Sequence, residues 1–364
     1  MNVLLASPFG GIPGGISRWT SHILNHYESL SEKPCKITLL PMGRSTFVNI
    51  NSNIAYRLYS AMRDYRSILS EYRKKISEDR YDILHLASSA SISLIKDIYM
   101  IRKAKAKGIK TILHFHFGRI PELAIKKNWE WKLLIKVIRI TDKVVVLDHA
   151  SYETLRLLGF DHVEILPNPL APEVNSIVEQ NKSISREENT ILFTGHVVRT
   201  KGVFELLDAC NELKNIKLKY VGHVEDEIKE TLYNKAKCNV EVIGELPYEE
   251  VIKEMLKCDI FVLPTYTEGF PNVILESMAA GCSIITTDVG AIPQMLDSTE
   301  GEPYALIVKP RNADVLRNAI ELLRNDETFK ESCRRNVQQR VNAQYSIEKV
   351  WFQIVSMWCS LLKS

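Results

Sequence analysis

The stretch from Asp259 to Ala279, DIFVLPTYTEGFPNVILESMA, passes from an apolar run through a turn into a helical pattern. DIFVLP (Asp259 to Pro264) reads as a buried strand, Gly269 and Pro271 punctuate the turn, and an amphipathic helix runs on from Asn272. Pro271 fits a first helical turn, where no N–H is missed. The N–H groups of Asn272 and Val273 would then point at an anion above the strand end, where the helix dipole also favours negative charge. Two carboxylates, Glu268 and Glu276, flank this N-terminus. With mostly helical rise they stand up to about 12 Å apart along the axis, one for each end of a ligand whose middle is a diphosphate. Glu276 can accept from both neighbouring hydroxyls of a ribose, and Glu268 then faces a sugar. Taken singly, each is equally an ordinary solvated glutamate.

Outward from this stretch, short apolar runs alternate with helical segments along the chain. NVLLAS, KITLLP, DILHLA, KTILHFH, KVVVLD and VEILPN precede residue 170, separated by helices such as Ala55 to Ile76 and Ser91 to Lys107. The pattern restarts with TILFTG, KLKYVG, VEVIG, DIFVLP, SIITTD and YALIVK. This is the α/β alternation of parallel sheets, and it predicts two doubly wound units in tandem. The polar segment Ala171 to Asn189, entered through Pro167, Pro169 and Pro172, reads as the linker. The expected division is 1–170, 171–345 and a terminal helix over 346–364.

At 364 residues the chain suits two domains, and 45% hydrophobic content supplies their cores. Met1 leads directly into NVLLAS, and no apolar run approaches a membrane span, so a cytoplasmic protein is expected. Seven scattered cysteines without a CxxC indicate reduced thiols rather than a disulfide framework or a zinc site. Net charge hides an asymmetry: residues 1–170 hold 25 Lys and Arg against 15 Asp and Glu, the remainder 22 against 29. A basic half can meet nucleic acid, an anionic membrane or an anionic acceptor. The segment Ile120 to Ile140 mixes lysines with Trp129, Trp131 and aliphatic residues, as either an interfacial helix or a helix packed on its sheet would.

Ligands of open parallel sheets bind outside the carboxyl ends of the strands. After the first strand comes FGGIPGGISRW, where Gly10, Gly11, Gly14 and Gly15 allow close backbone approach to phosphate or sugar. It is not the GxGxxG of a dinucleotide fold, which argues against a dehydrogenase. His114 and His116 alternate on one face of the fourth strand, with His116 nearer its open end. TGHVVRTKGV (Thr194 to Val203) sets Arg199 and Lys201 between two glycines, after a strand and before a helix, and those cations suit a diphosphate leaving group. No Asp-x-Asp occurs, so no metal is expected.

Taken in order, the Gly-rich loop, His116, the PNP turn (Pro167 to Pro169), the GHVVRTKG loop, EGFPNVILE, DVGAIPQML and the Ala305 to Pro310 stretch resemble family 4 (GT4) retaining glycosyltransferases of the GT-B fold. The resemblance spans essentially the whole chain. It implies two Rossmann-like doubly wound parallel-sheet domains with an inter-domain cleft, the first binding acceptor and the second the nucleotide sugar. It implies that Lys201, with Arg199 or His196, holds the diphosphate. Glu268 would bind the transferred sugar, backbone from Gly269 through Phe270 and Pro271 to Asn272 would line sugar and phosphate, and Glu276 would bind ribose. His116 would contact the sugar near the reacting carbon, and Gly14 and Gly15 would lie close to diphosphate and acceptor. The catalytic set is then His116, Lys201 and Glu268. No cofactor or metal is implied, because the nucleotide sugar is a substrate. The expected partners are a UDP-sugar or GDP-sugar donor and a glycan or lipid-linked acceptor of envelope polysaccharide assembly, with peripheral contact to an anionic membrane and no nucleic acid. A non-catalytic sugar-nucleotide-binding partner, an epimerase or a phosphorylase on the same fold are the alternatives. The chain departs from the family in having His196 where relatives commonly have Arg, and Gln294 where they commonly have Glu.

Overall fold

The computed structural model describes residues 1–9, 14–43, 54–296 and 304–363, with side chains of 54–62 left aside. Gly10 and Gly11 lie outside the described residues. The chain forms two compact units, Met1–Pro169 with Ile347–Ser364, and Leu170–Ser346. The fold is α/β, each unit built on a six-stranded parallel sheet flanked by helices.

In the first unit the strands are β1 (Asn2–Ser7), β2 (Lys36–Pro41), β3 (Ile83–Ser88), β4 (Lys110–Phe115), β5 (Lys143–Val146) and β6 (Val163–Ile165), in the order β2-β1-β3-β4-β5-β6. Successive side chains of a strand point to opposite faces, and the core divides accordingly. Leu4 and Ala6 of β1, with Leu84 and Leu86 of β3, enter one cluster, while Val3, Leu5 and Ile83 enter another. The second cluster is closed by Trp19, Ile23 and Tyr27 of helix Gly15–Ser29 and by Val350, Trp351, Ile354 and Trp358 of the last helix, Ile347–Lys363. Burial on both faces explains why the interior strands β1, β3, β4 and β5 are near-continuous apolar runs rather than alternating ones.

The second unit contains β7 (Glu187–Thr194), β8 (Lys217–Val221), β9 (Asn239–Gly244), β10 (Cys258–Leu263), β11 (Ser283–Thr287) and β12 (Leu306–Val308). Their order is β12-β11-β10-β7-β8-β9, so the chain builds outward from β7 to one edge and returns to build from β10 to the other. The switch point lies between β7 and β10, the place at which doubly wound sheets generally bind ligand.

Two sequence expectations are corrected. The supposed linker is largely regular structure: helix Pro172–Gln180 buries Val174, and β7 begins at Glu187. Pro172 misled because it sits in the first helical turn, where proline is tolerated. Arg186 ends the connection by donating to the carbonyls of Met255, Cys258, Ala280 and Gly281. The Ile120 to Ile140 segment is two helices, Ile120–Lys126 and Trp129–Ile140, broken where Lys127 turns left-handed at φ 48° and the Asn128 side chain accepts from Trp131 N–H. Leu123, Leu134, Val137 and Ile138 pack into the core, while Ile125 and Trp129 remain exposed.

Candidate active site

Three loops meet at the β7/β10 switch point. After Thr194 of β7 the chain reaches a single 3-10 turn, Arg199–Lys201, which Gly202 closes at φ 72° before helix Val203–Asn211. A side chain on Gly202 would run into the carbonyl of Pro264, the residue after β10, so this glycine lets the two loops touch. Tyr266 joins them further: its N–H donates to Thr200 O at 2.9 Å and its hydroxyl to Glu205 Oε1 at 2.5 Å. Burial first, and then this bond to Glu205, push the Tyr266 hydroxyl up to about 12. Beyond Tyr266, Glu268 pairs with Lys201, their side chains 13% and 26% exposed. The third loop enters at Gly290, whose φ of 56° brings it against the Glu268 and Gly269 carbonyls, and Ala291 N–H donates to Gly269 O at 2.9 Å.

Helix Asn272–Ala279 starts directly from this junction, with Pro271 as its N-cap residue, one position earlier than a first-turn proline. No side chain caps it, so the anion preference of a helix N-terminus is not offset by a capping carboxylate. Val273 is its second residue, and Glu276, 8% exposed, accepts from the Tyr248 hydroxyl at 2.9 Å. Phe270 is buried beside Tyr345, with ring centroids 5.9 Å apart, so its side chain belongs to the core. Arg199 lies over the Phe204 ring and Arg311 over the Tyr266 ring, at 5.3 and 4.6 Å. His196 is exposed, its ring 5.4 Å from that of His223. Thus Lys201 and Glu268 are brought together, Arg199 shares the Lys201 turn, and His196 stands beside another histidine.

His116, Gly14 and Gly15 belong to the first unit. Gly14 is the N-cap residue of helix Gly15–Ser29 with an extended backbone, and a Cβ on either glycine would meet nothing within 4 Å. The fold itself therefore does not demand glycine at these two positions. His116 follows β4, with its ring centroid 4.0 Å from His114 and 4.9 Å from Trp19. A chain of bonds runs from the last helix to its neighbour His114. Trp358 Nε1–H donates to His85 Nδ1 at 3.1 Å, which leaves the His85 proton on Nε2, 3.3 Å from His114 Nδ1. Burial lowers His85 and His116 to about 3 and holds His114 well below the usual histidine range.

This depression makes stability pH-dependent. An unfolded histidine takes up its proton near pH 6.5, whereas buried His85 and His114 do not, so their contribution is complete above pH 6.5 and is lost as pH falls below it, for His85 down to about 3. Each should remove about 1.4 kcal/mol per pH unit over that window. Urea unfolding at pH 7.5, 6.5, 5.5 and 4.5 should show little change over the first interval and this slope over the later ones, flattened in a His85→Gln/His114→Gln protein. Equal slopes would refute it.

Tyr248 and Tyr266 are the site residues that sequence reading missed. Tyr266 stands inside the decisive stretch, but nothing local signals that it spans two loops. Tyr248 lies 28 residues before its partner, beyond any periodicity.

Two Rossmann-like units of this topology, with a cationic turn and a carboxylate gathered at the switch point of the second, have the GT-B fold. Profiles for "Glycosyltransferase Family 4" and "Glycosyl transferases group 1" match residues 19–174 and 176–340. The chain belongs to the family 4 glycosyltransferases. It is 29% identical over 250 residues to TuaC of Bacillus subtilis, a candidate teichuronic acid biosynthesis glycosyltransferase, covering 66% of this chain and 62% of TuaC. To the capsular polysaccharide biosynthesis glycosyltransferase CapM of Staphylococcus aureus it is 26% identical over 282 residues, 73% of this chain and 70% of CapM. Sucrose-phosphate synthase from Thermosynechococcus elongatus superposes with a TM-score of 0.76 at 17% identity, covering 100% of this chain and 99% of the other. Anabaena HepE in complex with UDP-glucose gives 0.67 at 14% identity, covering 99% and 100%. Among the described residues no helix is long and apolar enough to cross a membrane.

Proposed function

We propose that this glycosyltransferase moves a sugar, with retention, from a nucleoside diphosphate sugar to a hydroxyl of a glycan or lipid-linked glycan. Its place is envelope polysaccharide synthesis at the cytoplasmic face of a membrane. The observation that carries the donor is the Lys201–Glu268 pair beside the uncapped helix at the switch point. In the reaction the bond from the anomeric carbon to the diphosphate oxygen breaks, and charge grows on that oxygen. Lys201 and Arg199 oppose the charge from the same turn, and the helix dipole adds to them. The acceptor oxygen bonds the anomeric carbon on the face the diphosphate leaves, and its proton passes to the departing phosphate. Glu268 accepts from sugar hydroxyls once the diphosphate takes over Lys201, and Glu276 accepts from the ribose. No step in this scheme calls on a metal ion. UDP is the first choice of nucleotide, supported by the UDP-glucose complex of HepE, and the names of TuaC and CapM support a polysaccharide product.

A thermal-shift panel of UDP, GDP, ADP and their common sugar conjugates, with and without EDTA, tests the reading. Stabilisation by one nucleotide family that survives EDTA is expected; loss of the shift in EDTA would sink the metal-free scheme, and no shift at all the donor itself. Membrane contact rests on Ile125 and Trp129, 83% and 56% exposed, among Lys126, Lys127 and Lys132. Anionic liposomes should sediment the protein at low salt and release it as salt rises. An unbound protein at low salt would remove that part.

A further inference from the structure

We infer that Tyr248 is a positioning residue for the nucleotide end of the site, holding the Glu276 carboxylate in the orientation that takes two neighbouring ribose hydroxyls. The inference rests on the proposed donor reading, in which Glu276 faces ribose.

Topology brings the two residues together. β9 is the sheet edge, and the chain must return across β8 and β7 to reach β10. It does so through helix Tyr248–Lys257, which begins four residues after Gly244 ends β9 and so starts at the carboxyl-end side of the sheet, where ligands lie. Tyr248 is the first residue of that helix, and Pro247 before it has extended backbone that aims the helix start. Glu276 stands on the other helix, in its second turn. The phenol donates to Glu276 Oε1 at 2.9 Å.

The chemistry follows from burial and torsional freedom. A glutamate has three side-chain torsions, and one that is 8% exposed also loses most of its hydration. A phenol O–H offsets part of that loss and fixes the plane of the carboxylate before ligand arrives. Two hydroxyls on adjacent ribose carbons then meet acceptors already set at the right spacing, which is preorganisation. A Tyr248→Phe change keeps the ring and its packing but removes the hydrogen bond that orients Glu276 Oε1. Only contacts to ribose are affected, and these are made equally in the ground and transition states, so KM for donor should rise while kcat stays near its wild-type value.

The test is calorimetric titration of wild type, Tyr248→Phe and Glu276→Ala with UDP, GDP and ADP, and with the 2′-deoxy counterpart of whichever binds tightest. Wild type should prefer the ribonucleotide by about tenfold, and Tyr248→Phe should weaken it about tenfold while leaving the deoxynucleotide nearly unchanged, collapsing the preference. A purely structural role for the tyrosine would weaken both nucleotides alike, or neither, and either result overturns the inference. If Glu276→Ala loses the preference and Tyr248→Phe keeps it, the positioning role fails while the donor reading stands. If Glu276→Ala binds ribonucleotide as wild type does, or none of the three nucleotides binds wild type, the donor reading itself fails and takes the inference with it.

Discussion

A Lys201→Ala protein is expected to transfer sugar about a hundred- to a thousandfold more slowly than wild type, with the loss in kcat rather than in KM alone. Charge appears on the leaving diphosphate only as the glycosidic bond stretches, so a cation placed there acts mainly in the transition state. Lys201 is suited to this because its turn is anchored independently of its side chain. Its own N–H donates to Val198 O, Gly202 N–H donates to Arg199 O, and the Gly202 backbone lies against Pro264. The variant should therefore fold, paying roughly 1–3 kcal/mol for a Glu268 left half-buried without its partner. Lys201→Arg keeps the charge and should recover part of the rate. Steady-state kinetics with the donor identified in the thermal panel decides the matter. A wild-type kcat in Lys201→Ala would remove the lysine from the mechanism, and a raised KM with unchanged kcat would reduce it to a ground-state anchor.

How much of this was legible beforehand depends on the range over which each feature is determined. The interior strands β1, β3, β4, β5, β10 and β11 are short apolar runs bounded by turns, and each is found within a few residues of its sequence reading, because burial on both sheet faces writes itself into consecutive residues. Strand order is not local. That β10 lies beside β7 rather than beside β9 is what joins Lys201 to Glu268, and nothing within either loop states it. The resemblance to a family supplied that juxtaposition where periodicity could not. Local signals also misled where one residue serves two grammars. Pro172 reads as a linker and opens a helix; Lys127 reads as one more cation on an amphipathic face and takes the left-handed turn that ends the helix. Tyr266 and Tyr248 act through partners 61 and 28 residues distant, so their type and spacing carry no message.

Gly290 offers the sharpest separation of fold from function, and Gly290→Ala should lower transfer about a hundredfold together with a stability loss of about 2–4 kcal/mol. Two costs combine. At φ 56° an L side chain costs about 1–2 kcal/mol by itself. The new Cβ would also press on the Glu268 carbonyl oxygen and lie 2.8 Å from that of Gly269, and neither is the end of a flexible side chain. Gly269 O is already engaged by Ala291 N–H, so the strain must move the backbone that carries Glu268. A displacement of about 1 Å in a catalytic group costs on the order of a hundredfold. Gly281 supplies the comparison, since its φ of 63° imposes the same left-handed penalty. A Cβ there would meet the amide end of Gln338 at 2.7 Å, a side chain that can swing aside. Gly281→Ala should therefore lose about 1–2 kcal/mol and keep its transfer rate. Urea unfolding and kcat measured on both variants separate the penalties. If the two lose activity equally, the clash with the Glu268 backbone is not what the glycine prevents, and the path from the third loop to Glu268 is broken.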